Sequence, residues 1–239
     1  MISTVFNTLV YDPLYNGLIF LVDVLPSHNV GIAVVALTII VRIIIFPLSK
    51  RAVETQRKMK EIAPDVEKLK EKYKDKREEQ GRAILELYRE KGVRPLANLG
   101  LLFAQFPILI GLYWVFAWGG LPDVDPTILY SFVNVPSTVD MLFLGSIAMD
   151  GHSIILALLV SASQFVYMRL SMGPRQKASK PTGTSFSADM ARSLDLQMRY
   201  FLPIMIGGIS YYVVAAAPLY WAVSNIFMIG QELFMGRRF

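Results

Sequence analysis

Long runs without charged residues alternate along this chain with segments that carry nearly all of its charge. Four runs approach the roughly 20 apolar residues that a helix needs to cross the hydrocarbon core of a membrane. They are 30–48, interrupted only by Arg42, then 96–118, 153–168 and 200–231. The pattern predicts an all-α, polytopic membrane protein.

The fourth run is too long for one straight span. Its 32 uncharged residues would extend about 48 Å as one helix. The sequence from Ala215 to Pro218 favours a tight break near its middle. We therefore expect five transmembrane helices, at 29–49, 95–118, 152–170, 199–215 and 218–235, with an outer loop at 119–151, a cytoplasmic loop at 171–198 and a cytoplasmic tail at 236–239.

The first 28 residues carry a weaker apolar pattern. Val5, Leu9, Leu14, Leu18 and Val22 approximate one face of an amphipathic helix. We expect 1–28 to lie in the outer membrane interface, because Asp12, Pro13 and Asp23 shorten its apolar run; an additional half-span is the alternative. The stretch also lacks the basic start of a cleaved signal peptide.

The charge distribution sets the topology. Of 24 basic residues, 15 lie between Lys50 and Arg94 and six between Arg169 and Arg199, whereas 119–151 contains four Asp and no Lys or Arg. Because basic loops remain cytoplasmic, this pattern places the N-terminus outside and the C-terminus in the cytoplasm. The excess of positive charge therefore reports on loop location rather than on nucleic-acid binding.

Segment 50–94 mixes 15 basic with 10 acidic residues, as solvated helices do. Met59, Ile62, Val66, Leu69 and Tyr73 form a narrow apolar seam that predicts one arm of a cytoplasmic antiparallel helical hairpin, kinked or restarted at Pro64. The segment is either a charged spacer or a docking arm for a ribosome or anionic lipid. The candidate docking residues are Lys68, Lys72, Lys74, Lys76 and Arg77.

Arg42 lies eight residues before Lys50, about 12 Å along a helix from the cytoplasmic boundary. A guanidinium at this depth costs at least about 2.5 to 3.5 kcal/mol, so it should face protein or a hydrated cavity. It could be a structural arginine satisfied by carbonyls or an internal acid. The first four spans contain no Asp or Glu, and Glu232 lies near the cytoplasmic end of the fifth, so we favour a functional role.

Neutral polar residues in other spans could converge on Arg42, although each alone is more often interhelical glue. Together they would line a hydrated groove that attracts a carboxylate of a passing polypeptide. The candidate groove residues are Arg42, Thr38, Gln105, Gln164, Ser224, Asn225 and Gln231. Candidate contacts for hydrophobic substrate segments on the lipid side are Phe106, Tyr113, Tyr220 and Trp221.

Several short motifs occur together in one order: Phe46-Pro47-Leu48 after the arginine, Gln105-Phe106-Pro107-Ile108, Leu112-Tyr113-Trp114, and Leu219-Tyr220-Trp221 with Ser224-Asn225. In this set the chain resembles the YidC family of membrane insertases, which is related to the mitochondrial oxidase-assembly and chloroplast thylakoid insertases. The resemblance covers about nine-tenths of the chain. We expect the large outer domain of some bacterial relatives to be absent.

The resemblance implies a five-helix core in the bacterial inner membrane, with a groove open to the cytoplasm and lipid and with Arg42 as its arginine. It also implies nascent membrane proteins as substrates, arriving from the ribosome or the Sec translocon, and no nucleotide hydrolysis or cofactor.

Two other function classes compete with this interpretation. A small transporter or channel could use Arg42 for an anionic solute. An intramembrane enzyme lacks support, because the spans hold no acid pair, neither His28 nor His152 has metal-ligand spacing, and the chain has no cysteine.

Overall fold

The computed structural model describes residues 2–74, 76–93, 97–119, 121–173 and 193–237, and these residues are mostly helical. The helices are α1 (Ile2–Phe6), α2 (Asp12–Val24), α3 (Val30–Lys72), α4 (Arg77–Glu90), α5 (Ala97–Trp118), α6 (Ile154–Met172), α7 (Leu202–Tyr211) and α8 (Ala216–Phe234). Two π-helical turns, Asn7–Tyr11 and Gln197–Phe201, precede α2 and α7.

Three helices within the described ranges are long and apolar enough to cross a membrane: Thr4–Val24, Val30–Lys72 and Ile154–Met172. A shorter apolar helix covers Gln105–Trp118. The predicted long fourth run is divided, since α7 ends at Tyr211 and α8 begins at Ala216. Thr4–Val24 meets the length and composition of a span, while the interfacial placement of 1–28 stays a prediction.

The chain forms two compact units, Met1–Arg42 with Ile108–Phe239, and Ile43–Pro107. In the second unit, α3 continues through Pro64 without a break, so the predicted restart at Pro64 is wrong. The alternative, a kink at Pro64, stays a prediction. The turn after Lys72 leads into α4, and the Gln80 side chain donates to the Lys70 carbonyl over 2.8 Å. Lys76 is the N-cap of α4.

In the first unit, the apolar core joins α2, the start of α3, the end of α5 and the start of α8. It includes Leu18, Val34, Val115 and Leu219, which are all buried. Alongside it, α6 packs against both α7 and α8. Apolar residues at helical spacing on each element account for this core, because each helix buries one face.

The segment before α6 contains a two-stranded antiparallel hairpin that an all-α prediction missed. Strands β1 (Leu142–Phe143) and β2 (Ile147–Ala148) pair in the register Leu142 to Ala148 and Phe143 to Ile147. Two-residue strands leave too short an alternating pattern to detect in a sequence.

This hairpin segment links the first turns of the helices. Val30 N–H donates to the Asp140 carbonyl over 2.9 Å, and Ala216 N–H donates to the Met149 carbonyl over 3.1 Å. The starts of α3, α6 and α8 therefore lie at the same end of the first unit. The Leu142 N–H and the Asn29 side chain donate to Asp140 and hold the pKa of that carboxyl below its usual range.

Candidate functional site around Arg42

Arg42 lies in α3 and is only 4% exposed. Its neighbours include Tyr167 of α6 and Tyr220 of α8, whose hydroxyls interact electrostatically with the guanidinium. Within the described ranges, Nε and Nη2 of Arg42 have no hydrogen-bond partner. A buried guanidinium with unused donors can donate to a carboxylate or another anion, and hydrogen bonds between charged groups are the strong ones.

The nearest internal acid on α8 is engaged elsewhere. Glu232 is 1% exposed, and its Oε2 lies 3.0 Å from Nε of Arg237. Arg237 also donates from Nη1 to the Ser171 carbonyl near the end of α6. The carboxylate of Glu232 is thus compensated by an arginine other than Arg42.

Thr38 lies one helical turn before Arg42 and is fully buried. Its hydroxyl donates to the Val34 carbonyl over 2.6 Å. The side chain is therefore at the predicted place, with its donor used inside α3 itself.

Four further predicted groove residues in α6 and α8 are buried. Asn225 donates from Nδ2 to Oγ of Ser163 over 3.1 Å, and Ser163 donates to the Val160 carbonyl over 3.1 Å. This chain of hydrogen bonds connects α8 to α6, as interhelical polar groups in membranes commonly do. The other buried members are Gln164, Ser224 and Gln231.

The predicted aromatic contact residues differ in how exposed their side chains are. Tyr113 is 38% exposed, and Trp221 is partly buried against the cluster of Val160, Ile206 and Ala222. Tyr220 is 2% exposed and lies beside Arg42, so its predicted placement on the lipid side is wrong. Spacing on α8 alone could not reveal which face α3 and α6 would cover.

Sequence reasoning missed Tyr167. It lies three residues after Gln164 in α6, on the same helical face, and its ring hydroxyl has Arg42 and Glu232 as charged neighbours. A tyrosine within an apolar run is common in membrane helices, so only the i, i+3 spacing from Gln164 pointed to it.

Gln105 and Phe106 belong to the second unit, where Gln105 is partly buried and Phe106 is exposed. Their convergence with Arg42 stays a prediction.

All five candidate docking residues of the second unit are exposed. Two take part in surface ion pairs, Lys68 with Asp65 at 3.1 Å and Lys76 with Glu79 at 2.9 Å. Such exposed pairs are worth little and break easily, so these lysines remain accessible to a negatively charged partner. Across the part of the chain that the structure describes, no group of three or more His, Asp or Glu could hold a metal ion.

Comparison with known proteins gives a consistent result. The family model described as 60Kd inner membrane protein matches residues 21–239. Membrane protein insertase YidC of Bordetella petrii is 27% identical over 94% of this chain and 34% of its own length. The proteins of the same name from Oleidesulfovibrio alaskensis and Wolinella succinogenes are 27% and 29% identical, over 97% and 87% of this chain and 39% and 34% of theirs. The chain thus spans about a third of the length of the curated relatives it matches.

Proposed function

Because the chain belongs to the 60Kd inner membrane protein family, we propose that it is an insertase of the bacterial inner membrane, which inserts newly made membrane proteins and helps them fold. It does so without a cofactor or enzymatic chemistry. The relatives that carry the name membrane protein insertase support the activity, and the apolar helices support the location.

The observation that carries the mechanism is the burial of Arg42 with unused hydrogen-bond donors. A carboxylate in the outward-bound segment of a substrate would pair with this guanidinium for a short time. The pairing offsets part of the cost of bringing an acid into the membrane. Release is possible because water and the next polar group compete for the same donors.

The groove around Arg42 would be lined by Thr38, Gln164, Ser224, Asn225 and Gln231. Apolar substrate segments would slide past Tyr113 and Trp221 into lipid. Tyr220 takes a different role from the one predicted, because its buried hydroxyl helps to position Arg42.

The proposed topology has five spans, the N-terminus outside and the C-terminus in the cytoplasm. The starts of α3, α6 and α8 at one end support the alternation of directions. Segment 50–94 would then form a cytoplasmic hairpin. Its docking residues would meet the ribosome, the Sec translocon or anionic lipid, and they are Lys68, Lys72, Lys74, Lys76 and Arg77.

The test replaces Arg42 by Ala and by Lys and follows the insertion of a substrate with an acidic translocated tail. Arg42→Ala should slow insertion roughly tenfold or more, because a hydrogen bond to a charged group is worth about 1.5–3 kcal/mol. Arg42→Lys should retain part of the rate, because a lysine keeps the charge without the planar fork.

The matched control is Arg51→Ala, an exposed arginine on the same helix, which should insert normally. A substrate whose tail carries Asn in place of each acid should depend less on Arg42. Normal insertion of the acidic substrate by Arg42→Ala would overturn the proposed role of the charge. If the protein in liposomes instead moved an anionic solute through an Arg42-dependent path and inserted nothing, the transporter alternative would replace the insertase.

A further inference from the structure

The turn of the β1–β2 hairpin has an unusual residue at its tip. Phe143 accepts a hydrogen bond from Ser146 N–H over 3.2 Å, and the two residues between them have positive φ, +52° at Leu144 and +71° at Gly145. Two positive φ values in succession are the pattern of the type I′ turn, whose first position strongly favours Asn or Gly. A leucine there is a conformational outlier.

The same leucine is also exposed. Leu144 is 76% exposed and its neighbour Leu142 is 49% exposed, while Phe143 between them packs against the core. The exposed leucine side chain buries little apolar surface, and the positive φ at this position disfavours leucine. Such an outlier points to a use for the side chain outside the fold.

The hairpin packs against the start of α3, where exposed apolar residues occur. A Cβ atom placed on Gly31 would overlap the ring of Phe143, so the hairpin rests directly on the first turn of α3. The next residue, Ile32, is 39% exposed, and Ile155 in the first turn of α6 is 63% exposed. Exposed apolar residues therefore occur in the first turns of both α3 and α6, at the end of the unit where the hairpin lies.

The negative charge of segment 119–151 restricts which lipid headgroups can lie against the hairpin tip. Segment 119–151 contains four Asp and no Lys or Arg. Asp140, two residues before Leu142, stays ionised because it accepts hydrogen bonds from the Leu142 N–H and from Asn29. Anionic headgroups would be repelled, whereas zwitterionic or neutral ones would not.

We propose that Leu142 and Leu144 insert into the interfacial layer of the adjacent membrane leaflet, so that lipid of low negative charge covers the hairpin tip. The hairpin then acts as a shallow anchor that holds the outer segment 119–151 against the membrane. This role is separate from the substrate groove, and the proposed topology serves only to assign the leaflet as the outer one.

The absence of cysteine makes a site-specific test direct. The full chain carrying Leu144→Cys is labelled with the fluorophore NBD and reconstituted in phosphatidylcholine vesicles. Lipids with a nitroxide near the headgroup should quench the label, and an aqueous quencher should reach it poorly. The matched control is Ser137→Cys, an exposed polar position in the same segment, which should show the opposite pattern.

Equal accessibility of the two labels to the aqueous quencher would overturn the proposal. Protection at position 144 that disappears when the protein is diluted into excess lipid would instead assign the tip to a second copy of the chain. Replacing half of the phosphatidylcholine by phosphatidylglycerol should weaken the lipid quenching; stronger quenching would overturn the charge argument.

A second variant separates anchoring from folding. Leu144→Asn suits the positive φ and removes the apolar group, so the hairpin should remain folded. With the label moved to Leu142→Cys, this variant should show less quenching by lipid than its Leu144 parent. Unchanged quenching at position 142 would show that Leu144 does not anchor the tip.

Discussion

Buried Arg42 and half-buried Arg237 differ in how their charge is compensated. Arg237 pairs with Glu232 and donates to a backbone carbonyl, whereas the neighbours of Arg42 that the structure identifies are the hydroxyls of Tyr167 and Tyr220. A buried charge without a strong partner is costly, so its retention is more easily explained by a ligand than by stability. This contrast is the physical basis for proposing that Arg42 takes part in substrate recognition.

A neutral polar residue, Asn16 of α2, holds segment 121–141 through hydrogen bonds. It is 2% exposed, its Nδ2 donates to the carbonyls of Asp12 and Ile128, and its Oδ1 accepts from Tyr130 N–H at 2.6 Å. Asn16→Ala should destabilise the protein by about 1–3 kcal/mol, because it removes three hydrogen bonds to partly buried backbone groups.

Thermal unfolding in detergent, together with proteolysis of segment 121–141, measures this effect. The control Asn134→Ala changes an exposed asparagine in that segment and should be neutral. Equal melting temperatures for the two variants would contradict the assigned role of Asn16.

At the scale of elements, α6 is the helix on which both α7 and α8 pack. The contact with α7 depends on small residues: a Cβ on Gly207 would lie 2.6 Å from Cβ of Ser161 and 3.2 Å from the Ala157 carbonyl oxygen. Close approach of this kind drives helix association in lipid, where no hydrophobic force acts between helices.

Gly207→Leu should therefore force α7 away from α6 and lower stability by about 1–3 kcal/mol, the usual cost of overpacking. Gly208→Leu is the matched control, because the space around Gly208 is open. Thermal unfolding in detergent compares the two. A neutral Gly207→Leu would mean that the α6–α7 contact is not close-packed in the membrane.

For the whole molecule, the topology depends on whether the N-terminal helix lies in the interface or spans the membrane. Thr4–Val24 meets the length and composition of a span, yet Asp12 and Asp23 lie within it and its inner face is fixed to segment 121–141 through Asn16. In the proposed topology, an interfacial helix would leave the N-terminus outside, whereas a span would move it to the cytoplasm.

We expect Thr4→Cys to react with an impermeant maleimide added to intact spheroplasts, as Ser137→Cys should. Lys68→Cys, in the basic segment, should react only after permeabilisation. Labelling of Thr4→Cys only after permeabilisation would contradict the interfacial prediction and require a sixth span. No native cysteine interferes with the measurement.

The sequence alone predicted the membrane class, the family and the importance of Arg42, and the first two are confirmed. These properties follow from local features: the length of an apolar run, the cost of a charge within it, and motifs in a fixed order. The hairpin at Leu142–Ala148, the neighbours of Arg42 and the burial of Tyr220 were decided by tertiary structure. They depend on which helix faces meet, and residues far apart in the chain determine those contacts jointly, so no local pattern encodes them.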